Sequence, residues 1–152
     1  MPANQEAVSS LLHSSHDGAL ATVDEKGAFA SAVGFWFSRQ ESPGSKPVSG
    51  KVYLLLSDLA RHSRNLKRNG RASLLVIEER SDIPVHEKKR VTLNGEVRLV
   101  ADKETFGALK KRYLEKYPKS EIFFMLPDFH FYEFVIDEVH WIGGFGKAET
   151  WV

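Results

Sequence analysis

The chain has 152 residues, of which 42% are hydrophobic and 27% charged, and its formal net charge is +1. A chain of this length and composition predicts one globular domain over residues 1–152 that folds without disulfides or metal, and its small net charge argues against nucleic acid as a partner. Because the sequence has no cysteine, iron–sulfur clusters and cysteine nucleophiles are excluded, and the polar start with no long apolar run predicts a cytoplasmic protein with no membrane partner.

The first elements predicted are a helix and a β-hairpin. Apolar residues recur at helical spacing over residues 4–14, and Asn4 is expected to cap that helix. His13 and His16 lie at its end but have no third ligand at a plausible spacing, so no metal site is expected. Residues 18–23 predict a strand, and Gly27 completes a turn into its partner strand.

The partner strand over residues 28–37 has two unequal faces. One carries bulky side chains such as Phe35 and Phe37, whereas the other carries almost none. A strand without side chains on one face lets a helix, a second subunit or a planar ligand come close, and packed protein is the interpretation we favour. The small residues of this face are Ala28, Ala30, Ala32 and Gly34.

Residues 51–79 predict a strand, a helix and a second strand. The apolar runs 52–56 and 72–77 have strand length, and Ser57 and Asp58 are suited to cap a helix that begins near Leu59. The pair Asn69-Gly70 is expected to end the helix, with glycine in the left-handed conformation. Leu59 and Leu66 are expected to pack this helix against the sheet.

The N-terminus of this helix predicts an anion site. Its free backbone N–H groups and helix dipole would lie beside three basic side chains, and phosphate is a suitable ligand. Basic residues on a short helix are also commonly a solvated face, so this stretch alone leaves both interpretations open. The three basic residues are Arg61, His62 and Arg64.

The second half of the chain adds strands and two further helical segments. After polar loops over 39–50 and 78–87, a period-two pattern over 89–100 predicts a long strand with a bulge at Gly95. Asp102 is expected to cap a helix whose aromatic stripe, which includes Tyr113, is assigned to the core, and a shorter helical piece covers 120–125. Strands are predicted over 129–136 and 139–142, followed by a glycine-rich segment. These elements predict a mainly β fold, a six-stranded antiparallel β-barrel with short peripheral helices.

The order of four motifs resembles the flavin-binding split-barrel family, which includes pyridoxamine 5′-phosphate oxidase, and is closest to its haem-utilisation branch. The resemblance covers nearly the whole chain. The motifs are GALATVDEKGAFASAVGFWF, YLLLSDLARHSRNLKRNGRASLLV, RVTLNGEVRLV and HWIGGFGKA.

The resemblance implies an FMN-binding homodimer with the cofactor between the subunits, acting as an oxidoreductase on an unknown small molecule. No catalytic residue is identified. The residues that the resemblance assigns to cofactor binding are Ser57, Arg61, His62, Asn65 and Arg90.

Two departures keep other functions open. The oxidase branch has basic phosphate-binding residues where this chain has Ala32 and Phe37, so pyridoxamine phosphate oxidation is not implied. The haem-utilisation branch implies haem binding instead, although no histidine follows His140. A barrel without cofactor that binds another protein is the third hypothesis. The candidate iron ligands are His62, His130 and His140.

Overall fold

Seven antiparallel strands form one sheet in which strands far apart in the sequence also pair. The computed structural model describes residues 4–39 and 47–152, so most of the predicted loop 39–50 lies outside the described residues. In chain order the elements are α1 (Gln5–Ser14), β1 (Asp17–Asp24), β2 (Gly27–Arg39), β3 (Gly50–Ser57), α2 (Arg61–Arg68), β4 (Arg71–Ile77), β5 (Arg90–Leu99), α3 (Lys103–Lys116), α4 (Glu121–Phe124), β6 (Phe129–Ile142) and β7 (Ala148–Trp151). Short 3-10 turns lie at Val85–Glu87 and Pro118–Ser120.

The strand order is β3-β2-β1-β4-β5-β6-β7, and a further pairing of β6 with β3 closes six strands into a barrel. This confirms the predicted six-stranded antiparallel barrel with short peripheral helices. The seventh strand, β7, pairs with the C-terminal part of β6 and was not predicted, because its four residues are too few to show a clear alternation.

The last long strand corrects the prediction of two strands over 129–136 and 139–142. β6 runs without a break from Phe129 to Ile142, and its polar pair Asp137-Glu138 lies beside the point where the register with β5 shifts. The shift occurs between Asn94 and Gly95, which confirms the predicted bulge. A side chain at Gly95 would collide with the carbonyl oxygen of Val135, so the bulge requires glycine.

The barrel interior is filled by alternate side chains of all six barrel strands. A second cluster lies outside the barrel, where α3 packs on the outer faces of β3 and β6. Leu109 and Tyr113 of α3 and Phe131 of β6 belong to this cluster. Within the described residues no helix has both the length and the apolarity to cross a bilayer. Fully buried interior side chains include Leu20, Phe35, Leu54, Leu74, Leu93 and Phe134.

The helix predicted from Leu59 begins two residues later. α2 starts at Arg61 with Ala60 as its N-cap, and Leu59 lies in the preceding turn with 71% of its surface exposed. The predicted packing of Leu59 is therefore wrong, whereas Leu66, 7% exposed, is confirmed as the residue that anchors α2. Ser57 and Asp58 form the turn before the helix instead of its cap.

Two of the other predicted end signals are confirmed in full, and two are confirmed in position but not in conformation or contact. Asp102 accepts a hydrogen bond from the backbone N–H of Thr105 at 2.8 Å, and Gly27 has a φ of +122° in the hairpin turn. Asn4 is the N-cap residue of α1, but its side chain makes no capping hydrogen bond and its amide donates to Glu149 at 2.5 Å. α2 ends at Arg68 with Asn69 as its C-cap, as predicted, but Asn69 is extended and Gly70 is not among the positive-φ glycines of the described chain, so the expected left-handed conformation is wrong.

Candidate functional site

A cleft of about 630 Å³ lies on the outer surface of the barrel. The outer faces of β2 and β3 form its floor, α2 and α3 contribute side walls, and aromatic rings from α4 and β6 lie beside them. The residues that line it are mostly apolar or aromatic, which suits a ligand with a large apolar surface. They include Ala32, Gly34, Leu55, Ser57, His62, Tyr113, Tyr117, Phe123 and Phe129, with His16 and Asp17.

The floor is flat because β2 carries small residues there. Ala32 lines the cleft and is exposed, and a Cβ added at Gly34 would lie 2.6 Å from the Tyr113 hydroxyl, too close for a methyl group. Only one end of the bare face of β2 is covered. α3 packs over its Gly34 end, as predicted, while Ala28, Ala30 and Ala32 remain open.

The α3 wall is fixed to the barrel by polar contacts with backbone carbonyls. The Tyr117 hydroxyl lies within hydrogen-bond distance of the carbonyl oxygens of His16 and Phe35, and Lys116 Nζ donates to the carbonyl oxygen of Ser15 at 2.6 Å. Burial raises the pKa of Tyr117 and lowers the pKa of Lys116. Tyr117 therefore remains protonated at neutral pH and holds the helix in place.

His62 contributes a nitrogen with no partner among the described residues. Its Nε2 atom is buried and makes no hydrogen bond there. Burial also lowers the pKa of His62, since an imidazolium would be poorly solvated at this position. The ring is consequently neutral at physiological pH, and neutral imidazole is the form that binds transition metals.

The Tyr113 hydroxyl is the second polar group of the cleft that is left unused. The residue is only 5% exposed, and no hydrogen bond to its hydroxyl is found in the described part of the chain. Burial raises the pKa of Tyr113 to about 12, so it is a neutral hydrogen-bond donor. The Ser57 hydroxyl, in contrast, donates to Asp128 Oδ2 at 2.6 Å and accepts from the backbone N–H of Leu59 at 3.2 Å.

The structure brings together two of the five predicted cofactor contacts, Ser57 and His62, which both line the cleft. Arg61 faces away from it, because its guanidinium pairs with Asp24 at 2.6 Å and covers the ring of Phe29 at 4.1 Å. Its pairing lowers the pKa of Asp24.

Asn65 and Arg90 also have partners within the protein. The Asn65 amide is buried and donates to Thr22 Oγ1 at 3.0 Å, beneath α2. Arg90 donates to the carbonyl oxygens of Val85 and Lys88, at 2.6 and 3.1 Å, and so fixes the turn before β5. Neither residue lines the cleft.

Of the three histidines considered as iron ligands, only His62 lines the cleft. His130 Nδ1 lies 2.7 Å from Asp58 Oδ2, and the Tyr132 hydroxyl donates to the other oxygen of the same carboxylate at 2.7 Å. His140 Nδ1 lies 2.6 Å from Thr150 Oγ1, between β6 and β7.

The sequence assigned Tyr113 and Tyr117 to the core and missed their place in the cleft wall. Both rings do pack in the aromatic cluster, with centroids 4.6 Å apart. The overlooked signal was the hydroxyl group itself, since two tyrosines four residues apart present two polar tips on one helix face.

Comparison with known proteins agrees with this architecture. The family described as CREG, beta-barrel matches residues 4–151. The chain is 31% identical over 101 residues to the non-canonical heme oxygenase HOZ, chloroplastic, of Arabidopsis thaliana, a match that covers 66% of this chain and 30% of that protein.

Solved structures share the fold over almost the whole chain. The heme-binding protein of Mycobacterium smegmatis is 25% identical with a TM-score of 0.82, and the match covers 100% of this chain and 59% of that one. The heme storage protein HutZ of Vibrio cholerae is 23% identical with a TM-score of 0.69, over 87% of this chain and 89% of that one. The chain thus spans less than two thirds of the length of the Arabidopsis and Mycobacterium proteins. These matches confirm the resemblance to split-barrel proteins of the haem-utilisation branch, and the chain belongs to the CREG β-barrel family.

Proposed function

We propose that this protein binds haem in the cleft between α2 and α3, with His62 as the iron ligand. The observation that carries the proposal is the buried Nε2 atom of His62, which has no partner among the described residues and lies in an apolar cleft of about 630 Å³. An unsatisfied buried nitrogen is unfavourable unless a ligand satisfies it.

The residues of the cleft fit the chemistry of haem. A porphyrin is flat and largely apolar, and the floor at Ala32 and Gly34 is flat while the walls carry aromatic rings. Haem would supply a redox-active iron that accepts a nitrogen ligand, and His62 would offer it a neutral imidazole. The names of the Arabidopsis and Mycobacterium relatives, a heme oxygenase and a heme-binding protein, support the same ligand.

FMN, the first expectation from the sequence, has less support from the contacts. Two of the side chains expected to bind it, Arg61 and Asn65, already pair with Asp24 and Thr22. FMN binding would require at least the pair of Arg61 and Asp24 to open. We therefore place FMN second and test both ligands together.

The test is a titration of the purified protein with hemin and, separately, with FMN. We expect hemin to give a shifted Soret band that saturates at a defined stoichiometry. His62→Ala should weaken hemin binding by at least about tenfold, because the iron loses its nitrogen ligand. His86→Ala is the matched control, since His86 is exposed on a 3-10 turn away from the cleft.

Other outcomes would point to the other hypotheses. If His130→Ala or His140→Ala abolished the Soret shift while His62→Ala retained it, the assignment of the ligand would be wrong. Saturable FMN fluorescence quenching without a Soret shift would favour the flavoprotein. If the protein bound neither ligand, the remaining hypothesis would be a barrel without cofactor that binds another protein.

A further inference from the structure

We propose that the Tyr113 hydroxyl binds the ligand directly, by donating a hydrogen bond to a carboxylate oxygen of the bound porphyrin. This inference rests on the proposed function and names a specificity-determining residue in the same cleft. It starts from a group that the fold leaves unused, since Tyr113 is 5% exposed and its hydroxyl is unpaired among residues 4–39 and 47–152.

The cleft offers few other buried polar groups. The Tyr117 hydroxyl is engaged with the carbonyl oxygens of His16 and Phe35, and the Ser57 hydroxyl is engaged with Asp128. His62 Nε2 is buried without a partner, and the Tyr113 hydroxyl, on a side chain that is 5% exposed, makes no hydrogen bond within the described residues. Haem has two kinds of polar group, its iron and its carboxylates. The nitrogen of His62 suits the iron, and the hydroxyl of Tyr113 suits a carboxylate oxygen.

The surroundings of Tyr113 favour a donor to an anionic oxygen. Burial raises the pKa of Tyr113 to about 12, so the hydroxyl keeps its proton at neutral pH. Lys116, three residues further along α3, donates to the carbonyl oxygen of Ser15 and lines a different cleft, so the hydroxyl itself is the donor at this position. Asp17 also lines the cleft, but it is exposed to solvent and so repels an anion only weakly.

The hydroxyl has a fixed position. The ring of Tyr113 is held by Phe124 and Phe131 at centroid distances of 6.0 and 5.7 Å, and Gly34 leaves the space that the hydroxyl occupies over the floor. A donor fixed in this way loses little conformational entropy when it binds an acceptor. A hydrogen bond to a carboxylate is also stronger than one to a neutral oxygen.

The experiment compares Tyr113→Phe with the wild type for two probes, hemin and hemin dimethyl ester, whose carboxylates are blocked. We expect Tyr113→Phe to weaken hemin binding by roughly tenfold or more, and binding of the ester by less than about threefold. Thermal stability should be unchanged or slightly higher, because the lost hydroxyl has no protein partner. Tyr53→Phe is the control, since Tyr53 is also buried in the outer cluster but does not line the cleft.

The outcomes separate this inference from the proposed function. If the wild type does not bind hemin, the proposed function fails. If it binds hemin and Tyr113→Phe binds equally well, or loses both probes equally, the role of Tyr113 is overturned. Acetate that strengthened ester binding to the wild type, but not to Tyr113→Phe, would support the proposal, because acetate would supply at this hydroxyl the carboxylate that the ester lacks.

Discussion

Burial lowers the pKa of His62 below its ordinary value of 6.5, because an imidazolium at the cleft would lose most of its hydration. Burial also lowers the pKa of Lys116. Its ammonium nevertheless donates a hydrogen bond to the carbonyl oxygen of Ser15. The histidine is thus kept neutral by its environment, while the lysine remains a charged anchor.

The lowered pKa of His62 predicts a specific pH dependence of stability. Below about pH 6.5 an unfolded chain takes up a proton at this histidine more readily than the folded one does, so the free energy of unfolding falls as the pH falls through that range. His62→Gln removes the group and should flatten this part of the curve. The measurement is thermal unfolding of both proteins without ligand, between about pH 7.5 and pH 5.

The exposed His86 provides the comparison. His86→Gln should leave the slope between these pH values as it is in the wild type. A slope in His62→Gln that equals the wild-type slope would contradict the burial of the imidazole.

Residue types were predicted better than residue partners. The sequence identified Arg61 and Asn65 as polar groups on α2, but their partners Asp24 and Thr22 lie 37 and 43 positions away in the chain. Pairings of that kind arise only from the barrel, which places β1 under α2. His62, assigned to cofactor binding from the sequence, does line the cleft, and its buried Nε2 has no hydrogen-bond partner among the described residues.

At the scale of elements, α3 depends on a single glycine of β2. Gly34→Ala would place a methyl group 2.6 Å from the Tyr113 hydroxyl, and the ring cannot move away without disturbing its aromatic neighbours. We expect the substitution to lower the free energy of unfolding by about 1–3 kcal/mol. Hemin affinity should fall as well, and both quantities are measured on the same purified variant, by chemical denaturation and by Soret titration.

A second glycine gives the opposite result and serves as the control. Gly107 lies in the exposed interior of α3, and a Cβ added there would meet nothing within 4 Å. Gly107→Ala should therefore stabilise the protein by up to about 1 kcal/mol, since alanine favours the helix. Equal effects of the two substitutions would show that the contact between Gly34 and Tyr113 does not matter.

Element boundaries show where sequence periodicity is insufficient. Leu59 was placed in α2 because leucine and the preceding Ser57-Asp58 suggest a helix start, yet the backbone N–H of Asp58 bonds to the carbonyl oxygen of Asp128. That long-range bond holds the turn open and delays the helix to Arg61. β6 was divided for a related reason, since its polar middle is stabilised by pairing with β5, which the local pattern does not reveal.

For the whole molecule, the homodimer implied by the resemblance remains a prediction with a definite surface. Ala28, Ala30 and Ala32 form an open stripe of small side chains on the outer face of β2, and such a stripe permits close packing of a second copy. We expect analytical ultracentrifugation to give twice the chain mass of 17.2 kDa. Ala30→Arg should shift the protein towards the monomer, because the larger charged side chain separates the surfaces.

Ala108→Arg is the corresponding control on α3, where the alanine is exposed outside this stripe. A wild-type protein that sediments at the mass of a single chain would contradict the dimer. Dissociation by both arginine substitutions would place the interface elsewhere.

The fold as a whole was largely predictable, because the barrel strands are marked in the sequence by alternating apolar and polar residues and by turn residues between them. Gly27 and Gly95 marked the hairpin and the bulge, and both are where the sequence placed them. The cleft was not predictable from spacing, since its floor, walls and rim come from segments as distant as His16 and Phe129. Only closure of the barrel by the pairing of β3 with β6 brings them to one side.

The anchoring of α3 by Tyr117 has a consequence for the energetics of the cleft. One hydroxyl contacts both the residue before β1 and the strand β2, so it ties the wall of the cleft directly to its floor. A cleft of this kind is preorganised: a flat ligand gains its contacts without ordering a loop or closing a lid. Association should then be limited by desolvation of the apolar surfaces and by access past the rings of Phe123 and Phe129, rather than by a conformational change.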